Sequence, residues 1–84
     1  MPKVIIYSKD PCPYCVYATR FLDSRGIKYE LIDLTNKPDE ILAIKAKSGW
    51  RTVPIIFIND KLIGGYTDLK QLDEAGKLDE LLSQ

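Results

Sequence analysis

The two cysteines of this sequence lie close together and carry its clearest chemical signal. Cys12 and Cys15 enclose Pro13 and Tyr14, and the chain has no other cysteine. A disulfide between them would close so short a loop that it would constrain the unfolded chain very little. Small secreted proteins that rely on disulfides usually contain about four to eight cysteines. We therefore interpret the pair as reactive rather than structural and expect the chain to work in the reducing cytosol.

The pair lies where a predicted strand passes into a predicted helix, and this position gives the two sulfur atoms different roles. Cys12 is expected at the helix N-terminus, where free N–H groups and the helix dipole favour a negative charge. Lys9 lies three residues upstream and adds a positive field. Cys15 lies one turn further into the helix and should be more buried. We predict that Cys12 is the attacking thiolate and that Cys15 resolves the intermediate by closing a disulfide.

Two other interpretations of the cysteine pair remain open at this stage. The pair could be half of a zinc or iron–sulfur site, although the missing ligands would have to come from a second copy of the chain or an external thiol. It could also consist of two buried cysteines without reactivity. The position between a strand and a helix favours the redox interpretation over both.

A proline directly before a predicted central strand is the second unusual feature. Pro54 cannot donate a hydrogen bond to a sheet, yet it precedes the apolar run of residues 55–58. A cis Val53–Pro54 peptide bond in a tight turn would explain this, whereas a trans proline at a strand start is the simpler alternative. The cis turn would leave the N–H and C=O of Val53 facing outward, where they could pair with an extended peptide.

Residues 64–68, Gly-Gly-Tyr-Thr-Asp, suggest a binding site for charged groups. The two glycines permit a close approach of the backbone, and the N–H groups of the following helix can bind a carboxylate. Asp68 can accept an ammonium group, so the two interactions together match the main-chain end of an amino acid. Lys9 and Arg51 could attract a second carboxylate. The simpler interpretations are helix capping by Thr67 and Asp68 and two solvated surface cations.

The elements that must position these residues follow the order β-α-β-α-β-β-α, with a short helical segment at the end. Runs of β-branched residues predict strands, and apolar residues at helical spacing predict helices. The predicted strands are residues 3–7, 28–34, 55–58 and 62–63, and the predicted helices are residues 13–25, 38–47, 68–75 and 78–82. Asn36 and Thr67 are the candidate N-caps of the second and third helices, and residues 59–60 form the predicted hairpin turn.

This order of elements predicts an α/β fold with one mixed four-stranded sheet and helices on both faces. The first βαβ unit requires a right-handed parallel crossover, and the last two strands form an antiparallel hairpin. A chain of 84 residues is long enough for a single domain, which we expect to span residues 1–84.

The composition excludes several other classes of function. The 12 basic and 12 acidic residues cancel, whereas nucleic-acid binding requires a basic surplus. No apolar run approaches the roughly 18–20 residues of a membrane span, so we expect no membrane association. The chain has no histidine, which excludes histidine-based catalysis and most zinc enzymes.

Three motifs make the chain similar to the glutaredoxin family, in its short dithiol class. They are Cys-Pro-Tyr-Cys at 12–15, Thr-Val-Pro at 52–54 and Gly-Gly-Tyr-Thr-Asp-Leu at 64–69, and the likeness extends over essentially the whole chain. It implies a thioredoxin-like fold and a glutathione-dependent oxidoreductase that reduces glutathione mixed disulfides and protein disulfides. It also implies a cytoplasmic monomer with no bound cofactor, with glutathione as co-substrate and glutathionylated or disulfide-containing proteins as partners.

The resemblance further implies a groove for glutathione beside the catalytic Cys12 and Cys15. Together with the interpretations above, it predicts these groove residues: Lys9, Tyr14, Arg51, Thr52, Val53, Pro54, Gly65, Thr67 and Asp68. Tyr66 departs from the family pattern, because many dithiol members have a further cysteine at this position. Regulation by such a third thiol is therefore not expected.

Two alternative functions are considered beside this one. One is a glutaredoxin-like electron donor to ribonucleotide reductase that is itself reduced by thioredoxin reductase. The charged residues Lys9 and Asp68 favour glutathione over this alternative. The other is an iron–sulfur carrier dimer, which a colourless protein after anaerobic purification would contradict.

Overall fold

The computed structural model describes residues 2–83 of the chain. Its strands and helices are β1 (Val4–Ser8), α1 (Pro13–Ser24), β2 (Glu30–Asp33), α2 (Pro38–Ser48), β3 (Ile55–Ile58), β4 (Lys61–Gly64), α3 (Tyr66–Glu74) and α4 (Leu78–Leu82). The longest helix within residues 2–83 has 12 residues, and none there is long and apolar enough to cross a membrane.

The four strands form one sheet in the order β2-β1-β3-β4. β1 and β2 are parallel, whereas β3 runs antiparallel to both β1 and β4. The predicted mixed four-stranded sheet is therefore confirmed. The continuously apolar run of residues 55–58 forms an inner strand, where both faces are covered, and this explains why it lacks polar alternation.

Two apolar cores cover the two faces of this sheet. Because side chains alternate along a strand, neighbouring residues of β1 and β3 belong to different cores. The larger core joins β1 and β3 to α1, α3 and α4, and its buried members are Val4, Ile6, Ala18, Leu22, Ile56, Ile58, Leu69 and Leu78. The smaller core lies on the opposite face against α2, and its buried members are Leu34, Ile41, Ile44 and Ile55. The prediction of helices on both faces is confirmed.

Two predicted helix caps were wrong, and both helices begin at a neighbouring residue. The N-cap of α2 is Lys37 rather than Asn36, because Pro38 occupies the first turn. The N-cap of α3 is Gly65 rather than Thr67, so the helix begins at Tyr66. In place of a capping side chain, a residue of the helix bonds back to the cap: the Asp68 carboxylate accepts a hydrogen bond from the Gly65 N–H at 3.0 Å.

The turn between β3 and β4 also forms hydrogen bonds to Lys3, just before β1, and to Leu81 of α4. Asn59 and Asp60 have φ values of 50° and 66°, as a tight hairpin turn with two left-handed residues requires. The Asn59 side chain accepts from the Lys3 N–H and donates to the Leu81 carbonyl, each at 2.9 Å. The predicted hairpin is confirmed, and its first turn residue also connects the segment before β1 with α4.

Candidate active site

The cysteine pair lies at the start of α1 and forms a disulfide in this structure. Cys12 is the N-cap of the helix, with extended backbone, and Pro13 follows in the first turn. The Cα atoms of Cys12 and Cys15 are 5.2 Å apart, which is within the usual range for a disulfide. Cys15 is only 7% exposed, whereas Cys12 is partly exposed. The expected difference in accessibility between the two sulfur atoms is confirmed.

The backbone of the first helical turn points a hydrogen-bond donor at the Cys12 sulfur. The Cys15 N–H lies 3.1 Å from Cys12 Sγ, so the cysteine side chain takes the place of a capping oxygen. In the reduced protein, a thiolate at Cys12 would accept this hydrogen bond and face the positive end of the helix dipole. This geometry favours Cys12 over the buried Cys15 as the nucleophile.

The loop before β3 brings a second segment against Cys12. Cys12 Sγ lies 3.6 Å from the carbonyl oxygen of Val53, a residue 41 positions away in the sequence. The Val53–Pro54 peptide bond is cis, which is the first of the two alternatives considered for the sequence, and Asp10–Pro11 is a further cis bond that sequence reasoning missed. Within residues 2–83 the Val53 N–H has no hydrogen-bond partner, so this donor remains available beside the reactive sulfur.

A cleft of about 350 Å³ lies next to this contact. It is formed by the first turn of α1, the loop before β3 and the junction between β4 and α3. Its lining consists of Tyr14, Trp50, Thr52, Val53, Pro54, Gly65, Tyr66, Thr67 and Asp68. The structure thus brings most of the predicted groove residues together, whereas Lys9 and Arg51 are exposed and lie outside the lining.

The tight approach of backbone and side chains at this cleft involves Gly64 rather than Gly65. Gly64 has a φ of 118°, and a Cβ there would lie 2.8 Å from Asp68 Oδ2 and 2.9 Å from Trp50 Cη2. At Gly65 the nearest atom to such a Cβ would be 3.7 Å away, which is an ordinary contact. Within the protein itself, the need for glycine therefore falls on Gly64, because neither its backbone conformation nor its surroundings accept a side chain.

Asp68 combines the two roles that the sequence left as alternatives. One carboxylate oxygen accepts the Gly65 N–H, and the side chain also lines the cleft. An ionised carboxylate has about four lone-pair sites, so this bond leaves room for an ammonium group. The first N–H groups of α3 point out of the same helix end, because the first turn of a helix leaves them without helical partners.

Sequence reasoning missed two aromatic residues of the cleft. Trp50 is the only tryptophan of the chain, and its indole Nε1 is buried without a hydrogen-bond partner in residues 2–83. Tyr66 places its ring 6.3 Å from that of Tyr14 and 5.7 Å from that of Tyr17. Their positions in the sequence could have indicated both residues, since Trp50 precedes the predicted Arg-Thr-Val-Pro loop and Tyr66 directly follows the glycine pair.

The arrangement can exchange thiols with a substrate disulfide. It combines one accessible sulfur with a directed N–H donor, a second sulfur within bonding reach and a cleft beside them. Across residues 2–83, no group of three or more Cys, His, Asp and Glu side chains is arranged to hold a metal ion. The paired sulfur atoms and the directed N–H donor are the groups that thiol–disulfide exchange requires.

Comparisons with known proteins agree with this chemistry. The family model described as Glutaredoxin matches residues 4–63. The glutaredoxin of Pseudomonas aeruginosa is 42% identical over 83 residues, which cover 99% of each chain. Glutaredoxin 3 of Escherichia coli is 40% identical over 82 residues, which cover 98% of this chain and 99% of the relative.

Solved structures are similar over nearly the whole chain. A buckwheat glutaredoxin–glutathione complex has a TM-score of 0.87 at 32% identity, covering 95% of this chain and 76% of the other. Oxidized glutaredoxin 2 from Chlamydomonas reinhardtii has a TM-score of 0.83 at 40% identity, covering 98% and 80%.

Proposed function

Because the chain belongs to the glutaredoxin family, whose members are thiol oxidoreductases, we propose that it reduces glutathione mixed disulfides and protein disulfides with glutathione as reductant. The observation that carries the proposal is the meeting of Cys12 Sγ with the Val53 carbonyl at 3.6 Å, directly beside a cleft that ends at the α3 N-terminus. A ligand that contains both a thiol and an amino-acid end fits this combination.

Glutathione matches the cleft in size and in the order of its chemical groups. The volume of about 350 Å³ is within the usual range for small-molecule sites. The central cysteine of glutathione would pair with the N–H and C=O of Val53 as one strand pairs with another. The terminal ammonium of glutathione would contact Asp68, and the carboxylate next to that ammonium would accept hydrogen bonds from the N–H groups of the first turn of α3. The similar buckwheat protein was solved as a glutathione complex, which supports the same ligand here.

The two cations outside the cleft contribute at longer range in this proposal. Lys9 and Arg51 are both exposed, and each lies in a loop that leads to the site. They would attract the glycine carboxylate at the other end of glutathione. Since both cations are solvated, we expect this attraction to weaken as salt concentration rises.

The reduction of a glutathione mixed disulfide needs one cysteine. The Cys12 thiolate attacks the glutathione sulfur, the substrate leaves as a thiolate that takes up a proton, and a Cys12–glutathione disulfide forms. A second glutathione thiolate then attacks the bound glutathione sulfur. This step releases glutathione disulfide and restores the Cys12 thiolate. The net reaction consumes one reduced glutathione together with the mixed disulfide, and it yields the substrate thiol and glutathione disulfide.

The reduction of a protein disulfide uses both cysteines. Cys12 forms a mixed disulfide with one substrate sulfur, and the other substrate sulfur leaves as a thiolate. The Cys15 thiolate then attacks Cys12 Sγ, which releases the second substrate thiolate and leaves the Cys12–Cys15 disulfide. The oxidised pair is the form of the protein described above. Two glutathione molecules return it to the dithiol.

The decisive experiment compares two reductants on one substrate, the mixed disulfide of glutathione and a small thiol. We expect turnover with glutathione and none with thioredoxin reductase and its electron donor. Binding can be followed separately, because the only tryptophan of the chain lines the cleft and its fluorescence should respond to glutathione. Turnover with thioredoxin reductase alone would instead favour the electron donor to ribonucleotide reductase.

We further infer that residues 1–84 form a single domain and that the protein is a cytoplasmic monomer. Glutathione-dependent reduction requires a compartment in which thiols are kept reduced, which supports the cytosol. Light scattering should give a mass of 9.6 kDa for the monomer. A coloured, cluster-containing dimer after anaerobic purification would favour the iron–sulfur carrier.

A further inference from the structure

Three tyrosine rings form a continuous surface at the mouth of the cleft. Tyr14 and Tyr17 pack edge to face on α1 with ring centroids 5.8 Å apart. Tyr66 of α3 completes the group at 6.3 Å from Tyr14 and 5.7 Å from Tyr17. Tyr14 and Tyr17 are 57% and 48% exposed, so much of this aromatic area faces solvent. We call these residues the three-tyrosine surface.

This surface begins inside the cleft and extends beyond it. Tyr14 and Tyr66 line the cleft, whereas Tyr17 does not. Tyr17 lies five residues after Cys12 in the sequence. At about 1.5 Å of rise per helical residue, that is roughly 7–8 Å along α1. Tyr17 also lies about one helical turn beyond Tyr14, which lines the cleft.

The covalent step decides what lies over this surface. A protein substrate is joined to Cys12 Sγ through its own cysteine. The substrate residues next to that cysteine must therefore contact the protein surface around Cys12 Sγ. An extended segment advances by about 3.3 Å per residue, so a side chain two or three residues from the cysteine reaches the level of Tyr17. Glutathione has a single residue on each side of its cysteine, and its two ends are charged.

The chemistry of the surface selects the kind of side chain. Aromatic rings that pack against apolar or aromatic partners stabilise the contact by more than the burial of their area alone provides. Exposed clusters of large apolar groups on a soluble protein commonly belong to interaction sites. The surface is continuous with the cleft beside Cys12 Sγ and the Val53 carbonyl. The disulfide to Cys12 therefore fixes the position of the partner against the three-tyrosine surface.

We propose that the three-tyrosine surface binds an apolar or aromatic side chain two or three residues from the reactive cysteine of a protein substrate. Tyr17, its member outside the cleft, thereby selects among protein disulfides and leaves small glutathione mixed disulfides unaffected, whereas Tyr14 and Tyr66 also line the cleft. This inference rests on the proposed function, since the substrate is held by the Cys12 mixed disulfide of the protein-disulfide route. Tyr17 is the specificity-determining residue, because it belongs to the surface and not to the cleft.

The test uses three substrates and three variants. The substrates are a disulfide-containing peptide with Phe two residues from each cysteine, the same peptide with Ser there, and the mixed disulfide of glutathione and a small thiol. The variants are Tyr17→Ser, the conservative Tyr17→Phe and the control Leu42→Ser. Leu42 is 66% exposed on α2, so its replacement removes a similar exposed apolar group away from α1.

We expect Tyr17→Ser to lower kcat/KM for the Phe peptide by about tenfold, with the Ser peptide and the small mixed disulfide unchanged. Tyr17→Phe should retain wild-type values because it keeps the ring. Leu42→Ser should not change any of the three values.

Three results would overturn the proposal. An equal loss on all three substrates would mean that Tyr17 supports the site rather than contacts the substrate. In a parallel assay, a preference for the same peptide with Lys in place of Phe would assign the surface to cations. A wild-type dimer that Tyr17→Ser converts to monomer would make it a contact between two copies. The failure of the proposed function has a different signature, namely a wild type that does not turn over the small mixed disulfide with glutathione.

Discussion

At the scale of single residues, the site depends on the unequal surroundings of two identical side chains. Cys12 Sγ accepts a hydrogen bond from the Cys15 N–H at 3.1 Å and lies 3.6 Å from the Val53 carbonyl oxygen at the edge of a cleft. Cys15 is nearly buried one turn further along the helix. The same helix thus holds one partly exposed sulfur beside the cleft and one nearly buried sulfur within bonding reach of the first.

This inequality predicts different outcomes for the two serine variants. Cys15→Ser should retain the reduction of glutathione mixed disulfides, since that route uses Cys12 alone, and should lose most reduction of protein disulfides. Cys12→Ser should lose both activities. Turnover of each variant on one glutathionylated and one disulfide substrate provides the measurement. Loss of the first activity in Cys15→Ser would show that the pair works only as a dithiol, and the glutathione proposal would then fail.

Asp68 allows the charge at the cleft to be separated from the capping of α3. Asp68→Asn keeps an oxygen that can accept from the Gly65 N–H but removes the negative charge. We expect KM for a glutathionylated substrate to rise by roughly threefold to tenfold with little change in kcat, because a binding contact is lost. Asp39→Asn on α2 is the matched control. An unchanged KM in Asp68→Asn would remove the ammonium contact from the proposal.

At the scale of elements, the loop that leads to Cys12 is held by the loop that follows β2. The Asp10 N–H donates to Thr35 Oγ1 at 3.1 Å. Thr35 in turn donates to the Asp33 carboxylate through its N–H, at 3.0 Å, and through its hydroxyl. These two hydrogen bonds from Thr35 are the main reason that the pKa of Asp33 lies below its ordinary value of 3.8. Thr35 therefore connects the end of β2 to the segment just before the reactive cysteine.

Replacing Thr35 tests this connection. Thr35→Val removes the hydroxyl contacts with Asp10 and Asp33, so the loop before Cys12 loses its connection to the end of β2. We therefore expect slower alkylation of reduced Cys12 at neutral pH, whereas Thr35→Ser should behave like wild type.

The same variant tests the contribution of Asp33 to stability. The lowered pKa of Asp33 contributes stability above pH 3.8 that is lost as the pH falls through the lowered value. The stability difference between wild type and Thr35→Val should accordingly shrink in acid. Urea unfolding at neutral and low pH measures it, and a constant difference would contradict the role of Asp33.

At the scale of the whole molecule, β3 is the element on which both cores depend. Its buried side chains Ile56 and Ile58 face α1 and α3, whereas Ile55 faces α2. The same strand begins directly after Pro54, so the loop beside Cys12 is anchored to the centre of the fold. A small domain has little stability to spare, because it buries only about 60–65% of its unfolded surface.

A modest change in β3 should therefore be measurable. Ile56 is fully buried, and Ile56→Val should lower the free energy of unfolding by about 0.5–1.5 kcal/mol. Leu42→Ala on the exposed face of α2 should change it by less than about 0.5 kcal/mol. Chemical denaturation of both variants at one pH is sufficient. Equal effects at the two positions would contradict the assignment of β3 as the centre of the core.

The sequence alone determined the order of elements, the mixed sheet and the reactive pair. These follow from local patterns: the apolar run of 55–58 is typical of an inner strand, and two cysteines three residues apart in a predicted helix lie on one face, within reach of each other. The family resemblance extended this to the loop at 52–54 and the α3 N-terminus. The caps of α2 and α3 were misassigned, because Lys37 and Gly65 cap those helices without a side-chain hydrogen bond.

Only the tertiary structure decided which distant side chains meet. The packing of α3 beside α1 brings Tyr66 against Tyr14 and Tyr17, and the parallel pairing of β1 and β2 brings Thr35 to Asp10. Trp50 likewise closes over Gly64 only in the folded chain. Such contacts depend on how whole elements are positioned against each other. The periodicity within an element predicts which face is buried, but it contains no information on the partner that covers it.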